Sequence, residues 1–253
     1  MEDAVKLASG SDEAKYLSGG QTLLPTMKQR LAAPSDLVDI ARLDELKGIK
    51  VSGKTVTIGA ATTHAEVAGS ADIARACPAL AHLAAHIGDP HVRHMGTIGG
   101  SIANNDPAAD YPAAVLGSGA TIVTNNRSIA ADDFFEGLFT TALEPGEIIV
   151  EVRFPIPERA AYAKFQQPAS RFALTGVFVA KTANGVRVAV TGASESGVFR
   201  WGEAEAALSA DFSADAIAGL SVPADGMVSD LHGTPAYRAN LVKVMTQRAV
   251  SAA

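Results

Sequence analysis

A single cysteine, Cys77, stands in 253 residues. Without a second thiol no intrachain disulfide can form. An iron–sulfur cluster held by this chain alone is excluded too, because such clusters take about four thiolates. No apolar run approaches the roughly 20 residues of a membrane span. The acidic N-terminus, from Met1 to Lys15, lacks the apolar core of a signal peptide. Positive charge is also scarce. Twenty-one Lys and Arg against 27 Asp and Glu leave a net charge of −6, which argues against a nucleic-acid or anionic-membrane partner. No internal repeat or low-complexity stretch occurs. What remains is a cytoplasmic globular protein of one to three domains, consistent with 47% hydrophobic and 19% charged residues.

Familiar catalytic and nucleotide-binding signatures are missing as well. There is no G-x-G-x-x-G and no P-loop lysine. Ser18 and Ser101 sit in glycine-rich turns but not in a G-x-S-x-G elbow. His86, His91 and His94, with Asp89 among them, form no helical i,i+4 pair and have no cysteine beside them, so they read as loop and surface groups rather than metal ligands. Cys77 precedes Pro78 at a helix start, a place that lowers a thiol's pKa, although a lone cysteine among apolar neighbours is more often structural. No catalytic acid, base or nucleophile stands out, and no metal site.

Glycine, in contrast, is plentiful, with 23 residues. Arg93–Pro112 holds a Gly-rich turn, Gly96-Thr97-Ile98-Gly99-Gly100-Ser101, then Asn104, Asn105, Asp106 and Asp110. A second pair, Gly19-Gly20, follows the short strand Tyr16–Ser18. Such turns present backbone N–H groups to an anion, and a nearby carboxylate can accept from a sugar or polyol hydroxyl. The plainer alternative for Gly19-Gly20 is a tight strand-to-helix turn. For Asp110 it is a cap on the helix that begins at Tyr111-Pro112. Taken together, the two turns are expected to close on one pyrophosphate from opposite sides.

Periodicity supplies the remaining elements. Residues 2–9 read as the end of a short helix with Ala4, Val5, Leu7 and Ala8 on its apolar side. Leu23–Leu31 reads as a helix and Ser35–Ile40 as a buried strand. Strands are expected at Lys54–Ala60, Ala120–Thr124 and Ile148–Pro155. Thr63-His64-Ala65-Glu66 is a capping box, and Pro78–Ile87 is a helix buried along Leu80, Leu83, Ala84 and Ile87. Pro155-Ile156-Pro157 marks a boundary. Beyond it, Asn184-Gly185 joins two apolar strands, Leu174–Thr182 and Val186–Thr191, as a hairpin. Short helices follow at Glu203–Leu208 and Ala214–Leu220. Thr234-Pro235 opens a last helix, with Tyr237, Leu241, Val244, Met245 and Val250 on its apolar face.

Several segments resemble one family. Leu17-Ser18-Gly19-Gly20-Gln21-Thr22-Leu23-Leu24-Pro25 is similar to the (A/S)GGQ(S/T)LLP segment of the FAD-binding medium subunits of molybdenum hydroxylases, among them carbon monoxide dehydrogenase and xanthine dehydrogenase. Thr97–Ser101 with Asp106–Pro112 resembles that family's second segment. Arg153-Phe154-Pro155, Lys164-Phe165, Pro168–Ala173, Tyr237-Arg238 and Arg248-Ala249 match in order. The resemblance implies an α+β fold of the PCMH/vanillyl-alcohol-oxidase-like type. Two α/β FAD-binding subdomains, residues 1–52 and 53–157, precede a C-terminal antiparallel sheet-and-helix domain, 158–253.

It further implies that Leu17, Ser18, Gly19, Gly20, Gln21 and Thr22, with Thr97, Ile98, Gly99, Gly100 and Ser101, grip the pyrophosphate. Asp110 would hold the ribityl or ribose hydroxyls, with Asn104 near it. Ile149 or Val150 and Lys164 would lie against the cofactor, and Phe172 or Tyr162 would approach the ring system. Related flavoproteins of the wider fold can carry a covalently flavinylated histidine where this chain has Gln21, so FAD is expected to be non-covalent. The implied partners are a large molybdopterin subunit and a small [2Fe–2S] subunit, with NAD, a quinone or oxygen as acceptor. A self-sufficient FAD oxidoreductase using NAD(P)H is the other reading, with Glu195, Ser194 and Ser196 as its candidate proton donors. The chain starts later than the family's pattern, so the expectation is a missing edge element, a trimmed sequence or a different start.

Overall fold

The computed structural model describes residues 1–11 and 13–253. Helix α1 (Glu2–Ala8) precedes a small parallel sheet of β1 (Lys15–Leu17) and β2 (Leu37–Asp39), and between the strands lies α2 (Leu23–Lys28). This first layer is thin. Only Val38 of β2 is buried, so the expected buried strand is half exposed, and Leu7 of α1 is 66% exposed rather than inward. Ala4, Val38, Ile40, Leu46 and Ile148 make its small core.

A five-stranded antiparallel sheet follows. It uses β3 (Ile49–Ser52), β4 (Thr55–Gly59), β5 (Thr121–Thr124) and β6 (Ser128–Ala130). A two-stranded hairpin, β7 (Phe135–Gly137) and β8 (Thr140–Thr141), then leads to β9 (Ile149–Pro155), which inserts between β4 and β5 to give the order β3-β4-β9-β5-β6. Ile58 and Ile122 both pair with Val152, so three β-branched residues meet on one buried face. Strand β3 falls inside residues 1–52, yet it pairs with β4.

Between β4 and β5 the chain is helical. It forms α3 (His64–Gly69), α4 (Ala71–Ala76), α5 (Pro78–Ala85), α6 (Pro90–Met95), α7 (Ile98–Asn104) and α8 (Tyr111–Ser118). The Thr63/Glu66 capping box is complete, with Thr63 Oγ1 accepting from Glu66 N and Glu66 accepting from Thr63 N. Leu80 and Leu83 are fully buried, each a stabilisation of about 1.5–3 kcal/mol. Cys77 sits buried at the start of α5 without capping it. Burial raises its thiol pKa, which fits the structural reading of a lone cysteine among apolar neighbours and not the helix-start effect.

The C-terminal sheet is antiparallel, β10 (Arg159–Gln166), β11 (Ala173–Thr182), β12 (Gly185–Thr191) and β13 (Phe199–Arg200) in sequence order. The Asn184-Gly185 hairpin is present, with Thr182 opposite Gly185 and Gly185 at φ +113°. Alternation divides this sheet's faces. Tyr162, Phe178 and Ala189 join the core around α8, whose eight residues are all buried. Val177, Val179, Val188 and Val190 pack on the other side with α9 (Gly202–Ala210) and α10 (Pro235–Ala252). Thr234 caps α10 by accepting from Tyr237 N. Tyr237 itself is 41% exposed, and the buried face of α10 includes Arg238. The segment expected as a helix at 214–220 is a single 3₁₀ turn, Ala214–Ile217.

Candidate functional site

A cleft of about 770 Å³ opens between the first sheet, the α6–α8 segment and the start of β11. That volume falls in the usual range for cofactor sites. Its lining includes Leu17 through Thr22, Thr97, Gly99, Gly100, Ser101, Asn104, Asp110 and Ile149, so most of the residues singled out in the sequence meet in one place. Of the residues expected to grip or lie against the cofactor, Ile98, Val150 and Lys164 do not line it. Ile98 is fully buried in the main core. Val150 faces away from Ile149, as strand alternation requires, and packs toward the first layer. Lys164 stands behind Asp110.

The first turn carries the free donors. Gly20 has φ +69°, which glycine adopts without steric penalty. Among the described residues, the N–H groups of Gly19, Gly20, Gln21 and Thr22 find no acceptor in the protein. Gly19 serves a different purpose. A Cβ there would overlap the Met95 carbonyl oxygen and lie 2.7 Å from Gly96 Cα. Its absence lets the two segments touch, and Ser18 Oγ meets Thr97 Oγ1 at 2.8 Å. The turns therefore lie side by side rather than opposed across the cleft.

The second segment is not an open nest. Ile98–Asn104 is helix α7, capped by Thr97, whose Oγ1 accepts from Gly100 N at 3.2 Å. Ile98 N donates to Thr62 O at 3.1 Å and Gly99 N to Ala60 O at 2.8 Å. These donors are already spent inside the protein. Gly99 does not have positive φ either. A Cβ there would lie 2.5 Å from Ala60 Cβ, so glycine is needed for the helix to sit on β4's end. What this segment offers a ligand is the bare Cα of Gly100, the Ser101 hydroxyl and the Thr97–Ser18 hydroxyl pair.

Asp110 is buried at the head of α8 but makes no side-chain cap bond, which removes the helix-cap reading. Its carboxylate instead accepts from Tyr162 Oη and from Lys164 Nζ, 2.9 Å from Oδ1 and 3.1 Å from Oδ2. Lys164 also donates to His86 O at 2.9 Å. Burial raises the Asp110 pKa, and Lys164 and Tyr162 oppose the rise. Each carboxylate oxygen has two lone pairs, so accepting capacity remains. Tyr162 is therefore a partner of Asp110 at its back, whereas Phe172 reaches the cleft.

Other lining groups were not assigned to the cofactor from the sequence. His64, read only as part of a capping box, is buried against Gly96 and Tyr111, with Nδ1 unpaired. Burial first, and then the Arg93 charge, lower its pKa to about 4, so the ring is neutral. Glu147 accepts from Arg127 Nε at 3.0 Å, Thr124 Oγ1 at 2.7 Å and Glu144 N at 2.8 Å. The Arg127 hydrogen bond is the main reason its pKa falls to about 2. Asp89, Ser170 and Arg171 complete the mouth. Glu195, Ser194 and Ser196 are not among the lining residues.

This geometry fits a ligand with phosphates and an oxygen-rich arm, because unpaired N–H groups, a glycine cradle and a buried carboxylate share one cleft. Residues 1–157 match the family described as the FAD binding domain in molybdopterin dehydrogenase. The chain belongs to that family, the FAD-binding medium subunits of molybdenum hydroxylases. It is an oxidoreductase component whose cofactor is FAD. It is 33% identical to the glyceraldehyde dehydrogenase medium chain of Sulfolobus acidocaldarius, over 98% of this chain and 94% of that one. It is 36% identical to the carbon monoxide dehydrogenase medium chain of Hydrogenophaga pseudoflava, over 96% and 90%. A chain of quinoline 2-oxidoreductase from Pseudomonas putida superposes with a TM-score of 0.89 at 29% identity, covering 100% of this chain and 93% of the other. Among the described residues no helix is long and apolar enough to cross a membrane.

Proposed function

We propose that this chain passes electrons from [2Fe–2S] clusters on a small partner subunit, through FAD, to an external acceptor such as NAD or a quinone, while a large molybdopterin subunit oxidises the substrate. The observation that carries this reading is the set of four unpaired N–H groups at Gly19–Thr22 in the same cleft as Asp110. One cysteine in the whole chain leaves the clusters to a partner. Bound FAD supplies a two-electron carrier that can release its electrons singly.

The chain's own residues do the holding. The first turn neutralises the phosphates without arginine, which suits a net charge of −6. Ser18, Thr97 and Ser101 offer hydroxyls, and Gly100 gives close approach. Asn104 and Asp110 face the ribityl or ribose arm, with Lys164 and Tyr162 fixing the carboxylate. Ile149 forms apolar wall. Gln21 Nε2 donates to Gly19 O at 3.3 Å and carries no nucleophile, so FAD is held non-covalently. The proposed units are 1–52, 53–157 and 158–253, with the first boundary moved back to residue 48 because β3 pairs with β4. The complex works in the cytoplasm.

The test is native mass spectrometry of the tagged chain purified from its own cells, followed by stopped-flow mixing of the complex with reductant and acceptor. A Cys-rich small chain and a large chain should co-purify, and the flavin should be reduced after the clusters. A lone chain that takes hydride directly from NAD(P)H would contradict the proposal.

A further inference from the structure

One buried cation of the C-terminal domain lies outside the cleft yet is linked to its floor by hydrogen bonds. Arg238, on α10, is 3% exposed. Its Nη1 donates to Leu174 O and to Gly192 O, both at 2.8 Å, and its Nη2 donates to Asp230 Oδ2 at 2.7 Å. Leu174 is near the start of β11 and Gly192 just follows β12, so one nitrogen ties two strand ends. Those ends are unusually close. Gly192 has φ +84°, and a Cβ there would overlap Ala173 O and sit 3.0 Å from Leu174 O. Two carbonyl dipoles converging in the interior need a donor between them, and an arginine supplies it with charge.

The same strand ends hold the loop between α7 and α8. Gly192 N donates to Pro107 O at 2.8 Å. Thr191 Oγ1 reaches both Pro107 O, at 2.9 Å, and Ala109 O, at 2.7 Å. Ala173 N donates to Ala108 O at 3.4 Å. Every carbonyl of Pro107-Ala108-Ala109 is thus held by the C-terminal sheet. Asp106, Ala109 and Asp110, at the two ends of this tripeptide, line the cleft, as does Phe172 one residue before Ala173.

We propose that Arg238 is a positioning residue for the cofactor. From the far side of the C-terminal sheet it fixes the Leu174 and Gly192 strand ends. They fix Pro107–Ala109, and that tripeptide sets where Asp110 meets the polyol arm. The inference rests on the FAD reading above. It assigns the C-terminal domain a direct part in cofactor affinity, with Thr191 as the middle link.

The test uses the full chain with Arg238→Met, Arg238→Lys, Thr191→Val and the double variant Arg238→Met/Thr191→Val. FAD affinity is measured by titration of the apoprotein and stability by urea unfolding. Arg238→Met should weaken FAD binding roughly tenfold, equivalent to one hydrogen bond. Arg238→Lys should restore part of it, because an ammonium keeps the charge but not the fork. Thr191→Val should weaken FAD binding with little change in the urea midpoint. The double variant should be no weaker than the worse single, because both act on one loop. Hydrogen exchange should show lost protection at the Gly192 amide in Arg238→Met, with the α3 amides unchanged. Multiplying losses in the double variant would mean that Arg238 acts only through general stability and would overturn the proposal. Should Arg238→Met not fold, wild-type FAD affinity in Thr191→Val would overturn it alone. A wild-type chain that binds no FAD would sink the underlying reading instead.

Discussion

Gly19→Ala tests how the two glycine segments meet. The added methyl has no room, since its position overlaps Met95 O and lies 2.7 Å from Gly96 Cα, both backbone. Backbone cannot turn aside as a flexible side chain can, so the Ser18–Thr22 turn must move. Overpacking of this kind costs about 1–3 kcal/mol. The movement also stretches the 2.8 Å Ser18–Thr97 hydroxyl bond, a further ~0.5–1.5 kcal/mol. Together these give roughly 2–4 kcal/mol at the place where the phosphates are gripped. At 1.4 kcal/mol per factor of ten, FAD affinity should fall by about 30-fold or more. The assay is quenching of FAD fluorescence on titration with apoprotein, beside a urea melt. Gly69→Ala is the control. It sits at the end of α3 with nothing within 4 Å of the new Cβ, and should leave binding unchanged and stability level or slightly raised. Wild-type affinity in Gly19→Ala would refute the idea that close contact of the two segments shapes the site.

Asp110→Ala should reduce folding stability by about 3–5 kcal/mol in urea unfolding, because it strands the buried Lys164 ammonium, and it should weaken FAD binding as well. Glu147 titrates at about 2 in the fold, against 4.5 unperturbed. Its stabilisation is complete above pH 4.5 and is lost as pH falls toward 2. Arg127→Met should therefore lower stability at pH 7, with the difference from wild type closing as pH falls over that window. His64 runs on a higher range. Its pKa of about 4 lies below the usual 6.5, so the unfolded chain binds the extra proton between those values and stability rises with pH there. His64→Leu should flatten that part of the urea-midpoint profile, and an unchanged slope would mean that another group is responsible.

The sequence was most informative where chemistry is local. The capping box at Thr63, the Asn184-Gly185 hairpin and the Thr234 cap each involve residues within three positions, and each formed. The family segments at 17–25 and 97–112 led to the cleft itself. The misreadings share a physical origin in contacts between distant parts of the chain. Gly96–Ser101 reads as a turn because two glycines disfavour helix, yet α7 forms there because Gly99 lets it pack on Ala60. The helix-cap alternative for Asp110 fails for the same kind of reason, because Tyr162 and Lys164, 52 and 54 residues away, claim its carboxylate. His64 and Arg238 carried no local signal for their places at the cleft and behind it. Tyr237 looked apolar and inward, but a helix of 18 residues has two faces and the neighbouring arginine took the buried one.

The most direct measurement is equilibrium titration of the purified apoprotein with FAD, followed by acid precipitation. One FAD per chain should bind, and all of it should be released to the supernatant on denaturation. Binding should be lost in Gly20→Val, where φ is +69° and a β-branched side chain would meet Leu24. No saturable binding by the wild type, full occupancy in Gly20→Val, or yellow colour left in the acid pellet would each contradict a non-covalent FAD site built on the first glycine turn.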